Sequence, residues 1–273
     1  MEWRHRLRRR YTTRHSLSPM LIHAILALSP LAVAGLVAAF IIGGTAKGAL
    51  GIGLPLVAVP LTAQFLDLPV AIGLLSVPMV ATNIGQSLES GGTLSALHRL
   101  WPMLAAIVVG TWGGVHLLLG TDRLLLNAVV GTVLVLLAGW LLCQPRITLS
   151  RSVERWAGPL IGLFAGMLGA IAGMFGPPLI AYLVGLHLHP DAFVKYIAIL
   201  FLAATGTLIL ALGGMGALSI ADFAVSAAAM IPIQLGVVIG RWLRGICPPA
   251  LFRGLVLAIL ALGGLDMLRR AAF

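Results

Sequence analysis

Residues 43–55 read GGTAKGALGIGLP, and this stretch lies between two almost purely apolar segments. It contains five glycines, one lysine and one proline. Glycine and proline both destabilise the interior of a helix, and a lysine inside a membrane is costly unless an interaction compensates for it. The stretch therefore predicts a helix that is broken inside the membrane, with a functional reason for the break.

The composition indicates a membrane protein. Hydrophobic residues make up 60% of the 273 residues and charged residues 10%, and the mean hydropathy is +1.06. Soluble domains carry about 25% charged residues, so eight acidic and eighteen basic side chains are too few to cover a water-exposed surface. We expect lipid to be the main solvent of this chain.

The net charge of +10 does not indicate nucleic-acid binding. Six arginines lie in the first fourteen residues, directly before the first apolar run, and no nucleic-acid-binding motif accompanies them. Basic residues that flank a membrane helix follow the positive-inside rule and attract anionic lipid headgroups. The apolar run from Met20 to Ile42 is too long for a cleaved signal sequence, and we predict that it stays as the first membrane helix.

The chain shows an internal repeat. Gly44-x-x-x-Gly48-x-x-Gly51 matches Gly169-x-x-x-Gly173-x-x-Gly176 at an offset of 125, and further glycine and proline positions match in the same order. The predicted organisation is a basic cytoplasmic N-terminal segment at 1–19, a first transmembrane repeat at 20–143, a cytoplasmic linker at 144–156 and a second transmembrane repeat at 157–273. Repeats of this kind are common in secondary transporters.

The fold class predicted is an all-α polytopic membrane protein with about eight crossings, and each half contains a helix or hairpin broken by glycine and proline. The apolar region around each break is longer than one crossing and shorter than two. Eight crossings place more basic residues on the cytoplasmic side than ten do, so the positive-inside rule favours eight. We expect both termini in the cytoplasm. Four crossings per half would make the repeats parallel, and an odd number would make them inverted.

The two breaks predict a site for a small anion. A new helix is expected to start at Pro177, and another at Leu54–Pro55, because proline suits the first turn of a helix. Free N–H groups and the positive end of the dipole at such helix starts attract anions. Lys47 lies inside the first break, where an anionic substrate would neutralise it. The alternative is that Lys47 extends to the membrane surface.

Further polar residues near matched positions of the two halves extend the candidate site. Asn83, Gln86, Thr205 and Gln234 either line the transport path or bridge neighbouring helices. Lys195 either contacts the substrate or anchors its helix beside Asp191. The full set of predicted substrate-binding residues is Gly44, Lys47, Gly48, Gly51, Asn83, Gln86, Gly169, Gly173, Gly176, Pro177, Lys195, Thr205 and Gln234.

Close helix packing is the competing explanation for the glycines. We favour packing for the pairs Gly110/Gly114 and Gly236/Gly240. We favour the binding site for the glycines at 44–51 and 169–176, because the adjacent prolines break the helix and packing alone does not require a break.

Enzymatic and metal-binding functions find little support in the sequence. The chain lacks the motifs of intramembrane serine proteases, zinc proteases and nucleotide-binding loops. His187 and His189 lie two residues apart without a third soft ligand nearby, so we expect no metal site and no cofactor. Cys143 and Cys247 show no spacing typical of a redox or disulfide motif.

The basic N-terminus, the duplication and the motifs GTAKGALGIGLP and GMLGAIAGMFGPP together resemble the TauE/SafE sulfite exporter family, also called the toluene-sulfonate uptake permease family. The resemblance covers residues 30–270. It implies a permease of the bacterial inner membrane that moves sulfite, sulfonates, sulfoacetate or similar anions, commonly outwards. It also implies that Gly44, Gly48, Gly51, Gly169, Gly173, Gly176 and Pro177 are the glycine-rich positions of the family. In the first half, Lys47 and Gly51-Ile-Gly53 depart from the usual pattern.

The function predicted is therefore that of a membrane permease, acting as an exporter, for a small sulfur-containing or organic anion that binds between the two broken helices. A permease for a carboxylate or a neutral metabolite is the alternative of the same class. The alternative of another class is a non-transporting membrane subunit that docks a partner through its basic N-terminus. The expected partners are the anion and membrane lipid, a homodimer is left open, and the sequence does not identify a coupling ion.

Overall fold

The structure of the protein, a computed structural model, describes residues 20–50, 54–89, 94–143, 151–246 and 248–272. Within these ranges the chain is helical and contains no strand. The first half forms the helices α1 (Met20–Leu26), α2 (Pro30–Leu50), α3 (Leu54–Thr62), α4 (Leu68–Glu89), α5 (Leu94–Gly120) and α6 (Arg123–Cys143). The second half forms α7 (Arg151–Ala172), α8 (Gly176–Gly185), α9 (Pro190–Gly214), α10 (Ile220–Ala228), α11 (Met230–Arg244) and α12 (Pro249–Ala272).

The described helices include seven segments that are long and apolar enough to cross a membrane. They lie in α2, α4, α5, α6, α7, α9 and the continuous stretch of α10 and α11. The 24-residue α12 packs along α6, where Gly131 and Gly264 bring the two backbones together. With α12 there are eight long segments, which agrees with the predicted all-helical protein of about eight crossings.

The first apolar run is divided rather than continuous. A single helix was predicted from Met20 to Ile42, but α1 ends at Leu26 and α2 starts at Pro30. The hydroxyl of Ser29 accepts a hydrogen bond from the N–H of Ala32 at 3.3 Å. A serine before the first turn and a proline within it are typical of a helix start, so this sequence begins a new helix inside the apolar run.

The short helix α3 returns along α2 and forms a hairpin with it. A methyl group added at Gly43 would lie 2.7 Å from Cβ of Ala58, and one added at Gly35 would meet the ring of Phe65. Ala58 contacts Gly43, and the later residue Phe65 contacts the earlier residue Gly35, so α3 and the turn after it run antiparallel to α2. The chain is therefore back near the start of α2 when α4 begins.

The second half contains the corresponding hairpin of α7 and α8. Phe175 packs on Gly169 close to the break, and the Tyr182 hydroxyl lies 3.0 Å from the position that a Cβ at Gly158 would occupy. The long helix and the short helix therefore run antiparallel here as well. Each predicted break is a hairpin made of one long and one short helix.

Each hairpin adds a short returning helix, which reverses the direction of every helix that follows it. With α3 returning, the first half passes through the bundle five times, so α7 starts on the face opposite to the start of α2. Gly110 meets Leu163 and Gly114 meets Met167, so α5 and α7 are parallel, as five passes require. The two halves therefore run in opposite senses, which is the inverted arrangement that an odd number of passes predicts.

These directions correct one expectation. The linker at 144–156 and both termini were expected on the cytoplasmic side together. Residues 144–150 lie outside the described part of the chain, but α7 starts at Arg151 on the face opposite to α2. The second half also makes five passes, so α12 ends on the face where α2 starts. The short returning helix, which hydropathy does not count as a crossing, is the physical reason for the difference.

Glycines bring two further pairs of helices into backbone contact. In the pair α2 and α11, Gly44 and Gly48 face the backbone of α11, and Gly236 and Gly240 face the backbone of α2. In the pair α5 and α7, a Cβ at Gly114 would lie 2.7 Å from Cβ of Ala170. Small residues permit such close approach. The predicted packing role of Gly110/Gly114 and Gly236/Gly240 is confirmed.

Candidate functional site

Three polar side chains form a hydrogen-bonded chain beside the first break. The ammonium group of Lys47, near the end of α2, donates to Oδ1 of Asn83 on α4 at 3.0 Å. The amide nitrogen of Asn83 donates to Oγ1 of Thr205 on α9 at 3.3 Å, and the Thr205 hydroxyl donates to the carbonyl oxygen of Phe201 at 2.7 Å. Lys47, Asn83 and Thr205, here called the polar cluster, connect the two halves of the protein.

The polar cluster lies inside the bundle. Asn83 is 4% exposed and Thr205 is 2% exposed, whereas Lys47 is partly buried. Burial of an amide and a hydroxyl is favourable only when they are hydrogen-bonded, and each has a partner here. The sequence predicted these three residues as part of the site, and the structure brings them together.

A side chain of α10 forms hydrogen bonds with the backbone of α4 at a point where Pro78 interrupts the bonding within α4, close to the polar cluster. Pro78 has no N–H, so the carbonyl of Leu74 lacks its usual donor within α4. The hydroxyl of Ser226 on α10 donates to that carbonyl at 2.8 Å and accepts from the N–H of Val77 at 3.1 Å. Because Ser226 is fully buried, this bond ties α4 to the second half close to Asn83.

The charge of Lys47 is not matched by a carboxylate in the described part of the chain. The ion pairs found there join residues near helix ends, namely Arg99 with Glu154, Arg123 with Asp67, His189 with Asp191, and Asp266 with Arg269 and Arg270. An ammonium group has three donors, and Asn83 accepts from one of them. An anion at this position would supply both the missing charge and further acceptors.

A second cation stabilises the end of α2. Nε of Arg244 donates to the carbonyl oxygen of Ala49 at 2.8 Å, and its guanidinium also contacts the carbonyl of Gly48. The last carbonyls of a helix lack donors within the helix, and a cation there also favours the dipole. Arg244 is not among the site residues predicted from the sequence. Its position four residues after the repeat-matched Gly240, beside the packed α2, is the signal that would have found it.

The second break is lined by apolar side chains. Gly173 has a φ of +74°, which favours glycine, and it ends the helical path of α7. Met174 and Phe175 follow and are each 1% exposed. The helix α8 starts at Gly176 with prolines in its first turn, close to the predicted start at Pro177.

The short helix of the first hairpin touches the second break. A Cβ at Gly173 would lie 2.6 Å from Cγ2 of Val59 on α3. The short helix of the first half therefore packs against the break of the second half. A displacement of one hairpin would therefore change the contacts of the other.

The other predicted site residues lie outside the polar cluster. Gly44 and Gly48 contact the backbone of α11, so they have the packing role that the sequence analysis favoured for other glycines. Gln234 is exposed on α11. Lys195 precedes Thr205 by ten residues on α9, which corresponds to about 15 Å along a helix. Gly51 and the side chain of Gln86 lie outside the described part of the structure.

Comparison with known proteins gives one match. Residues 36–267 match the sequence profile of a family described as sulfite exporter TauE/SafE. The match covers most of the chain, including both hairpins and the whole polar cluster. Comparisons with curated proteins and with solved structures found no significant match.

Proposed function

The chain belongs to the TauE/SafE sulfite exporter family, and from this premise we propose that it exports a small sulfur-containing anion, such as sulfite or a sulfonate, through the polar cluster. Membership of the family and the apolar helices establish a multi-pass membrane protein of the permease type. The substrate, the outward direction and a location in a bacterial inner membrane are parts of the proposal.

The observation that carries the proposal is the position of Lys47. It is a partly buried cation without a paired carboxylate among the described residues, and it is hydrogen-bonded to Asn83 at the junction of the two halves. A cation in a membrane interior usually marks a substrate or ion pathway. The oxygens of sulfite would accept hydrogen bonds from the remaining N–H groups of the Lys47 ammonium and from the second N–H of the Asn83 amide, whose first N–H is donated to Thr205.

The hairpins are the parts of the protein that move during transport in this proposal. The hairpin of α2 and α3 carries Lys47, and it contacts the hairpin of α7 and α8 at Val59 and Gly173. In transporters with inverted halves, one half rocks against the other around a fixed site. Rocking at this contact would expose the polar cluster to one face and then to the other.

Flux of radiolabelled sulfite in proteoliposomes tests the proposal. Wild type is compared with Lys47→Ala and with Lys47→Glu, which reverses the charge. Lys195→Ala serves as the matched control, because it removes a lysine from a membrane helix outside the polar cluster. We expect saturable flux for wild type and Lys195→Ala, and loss of at least tenfold for both Lys47 variants.

Two results would contradict the proposal. Equal flux in wild type and Lys47→Ala would remove the polar cluster from the pathway. Flux of a neutral solute that survives Lys47→Glu, with no sulfite flux in any variant, would indicate a permease for neutral solutes.

A further inference from the structure

Lys47 is the titratable side chain of the polar cluster, because the amide of Asn83 and the hydroxyl of Thr205 stay neutral. We propose that Lys47 carries one proton with each anion. The amine takes up a proton when the anion binds, and the ammonium releases it when the anion leaves. The coupling ion is then the proton, which moves in the same direction as the anion. The proposal rests on the proposed function, because it gives the lysine of that site a second role.

The cations near Lys47 disfavour an ammonium group that has no anion beside it. Arg244 on α11 contacts the carbonyls of Gly48 and Ala49, so a second positive charge lies at the same end of α2. Arg241 precedes it on α11 and is also basic. Arginine keeps its proton in proteins, whereas lysine releases one more readily when it is buried. Release of a proton from Lys47 therefore removes a charge that nothing else at this place would neutralise.

The carboxylates whose side chains the structure describes lie away from the polar cluster. Each lies in the first or last turns of a helix or in a turn between helices, namely Asp67, Asp122, Glu154, Asp191, Asp222 and Asp266. Asp222 accepts the N–H of Leu21 in α1 at 2.7 Å, and Asp266 pairs with Arg269 and Arg270 near the end of α12. None of these carboxylates is placed to exchange a proton with an anion at the cluster.

The helices that surround the cluster add no other titratable side chain beside Lys47. The short helix α3 has none, and α4 has none between Leu68 and Gln86. On α9, Lys195 and Tyr196 precede Thr205 by ten and nine residues, which is about 14–15 Å along the helix. Within the part of the chain that the structure describes, Lys47 is therefore the residue that suits proton transfer at the cluster.

Asn83 suits a lysine that changes its charge. Its Oδ1 accepts an N–H of the ammonium at 3.0 Å, and a neutral amine still has two N–H groups to donate. A carboxylate in this place would favour the charged lysine and keep the proton on it. With a neutral amide as its partner, Lys47 keeps its position in both charge states.

The charges balance in both states of the site. In the loaded state, the ammonium and the anion neutralise each other. When the anion leaves, one N–H bond of the ammonium breaks, the electron pair stays on the nitrogen and the proton passes to water. The empty site then holds a neutral amine, so neither state leaves the lysine charge uncompensated in the membrane. With a monovalent anion, the pair crosses without net charge.

Net efflux and equilibrium exchange of radiolabelled sulfite in proteoliposomes test the proposal. Net efflux requires the empty site to change sides, and therefore requires the proton to leave. Exchange does not, because a new anion replaces the old one while Lys47 keeps its proton. Both assays use the same pH on the two sides of the membrane, and the flux of protein-free liposomes is subtracted. The charge form of sulfite then cancels in the ratio of net efflux to exchange.

The wild-type ratio of net efflux to exchange should fall at least about fivefold from about pH 8 to about pH 6, because acid keeps the proton on the empty site. In Lys47→Arg, which keeps a cation that does not deprotonate, exchange should continue while net efflux stays at least about tenfold lower at every pH. Lys195→Arg is the matched control and should behave as the wild type. Thermal unfolding checks that the variants are folded.

The outcomes separate this proposal from the proposed function. A wild-type ratio that does not change with pH would overturn proton coupling, as would a Lys47→Arg ratio equal to that of the wild type. If Lys47→Arg is inactive in both assays, the pH dependence of the wild-type ratio gives the answer. Sulfite exchange with a ratio independent of pH would leave the proposed function standing. The absence of both fluxes in the wild type would overturn both proposals.

Discussion

The two hairpins of this protein share a scaffold but differ in chemistry. In each, a long helix is followed by a short one that returns beside it, and the long helix packs through glycines on a helix of the other half. The first hairpin carries Lys47, which is hydrogen-bonded to Asn83. Ala172 stands at the position that the repeat offset of 125 pairs with Lys47. Ala204 stands at the position paired with Asn83 by the offset of 121 that relates Gly85 to Gly206. The second break is filled by Met174 and Phe175 instead.

This difference shows that the two halves share a backbone arrangement without sharing the polar residues proposed to bind an anion. Glycine packing and returning helices build both halves, whereas only one half supplies the cation. We interpret the second hairpin as an apolar support on which the first one moves. Substitutions in the two hairpins should therefore affect different measurements.

The largest expected effect on stability is that of Phe175→Ala. This side chain is 1% exposed and its ring packs on Gly169, so its removal leaves a cavity in the second break. Loss of a buried phenylalanine costs about 3–5 kcal/mol. Thermal unfolding in detergent should show a clear decrease in melting temperature, whereas the sulfite affinity of the remaining folded protein should stay the same. A selective loss of affinity would show that the second break binds substrate.

The substitution Asn83→Asp should abolish transport while it keeps the fold. A carboxylate at 3.0 Å from the Lys47 ammonium would form an internal ion pair and take the place of the anion. We expect sulfite flux to fall by about 100-fold, equivalent to roughly 2.7 kcal/mol. Thermal unfolding should change little. Asn83→Gln is the control that keeps an amide, and it should lose less flux than Asn83→Asp. Equal flux in the two variants would contradict a role for the Lys47 charge.

Two of the glycine-packed helix pairs, α5 with α7 and α2 with α11, should both be sensitive to added side chains. Gly114→Ala in α5 and Gly240→Ala in α11 each place a methyl group against a neighbouring backbone or side chain. Each should lower the free energy of unfolding by about 1–3 kcal/mol. Gly113→Ala is the matched control, because a Cβ there has open space. Similar stability of Gly113→Ala and Gly114→Ala would contradict the packing.

The smallest expected effect is that of Arg244→Gln. The substitution removes the guanidinium from the carbonyls of Gly48 and Ala49 at the end of α2. Because Arg244 is exposed, the cost should be about 1 kcal/mol. We expect a several-fold higher KM for sulfite, since Lys47 lies on the loosened turn, and little change in kcat. Arg241→Gln is the control because Arg241 is an exposed arginine on the same helix. A KM that changes equally in both variants would show a general charge effect.

The sequence predicts the second break because glycine and proline act locally, whereas the stretch predicted as the first break is helical up to Leu50 and places Lys47 within α2. The start of α8 beside Pro177 and the start of α3 at Leu54 follow from which residues suit a first helical turn. The packing of Gly110/Gly114 and Gly236/Gly240 also follows from a local spacing. Lys47 is conspicuous because a cation in an apolar run requires an explanation.

The sequence does not predict the direction of the short helices. The apolar regions around the breaks have a length between one crossing and two, so hydropathy does not distinguish a kinked crossing from a hairpin. The contact between Gly43 and Ala58 decides this question, and it is a tertiary contact. Likewise, Asn83 and Thr205 lie 122 residues apart, and Arg244 and Ala49 lie 195 apart. Such pairs follow from the arrangement of helices and not from any local pattern.

Direct binding of radiolabelled sulfite to purified protein in nanodiscs tests the central claim, which is that Lys47 forms the anion site where the two halves meet. Wild type, Lys47→Ala and Lys195→Ala are titrated side by side, with thermal unfolding as a check on folding. Saturable binding by wild type and Lys195→Ala, with loss in folded Lys47→Ala, is the predicted result. Unchanged sulfite binding by folded Lys47→Ala would contradict the claim.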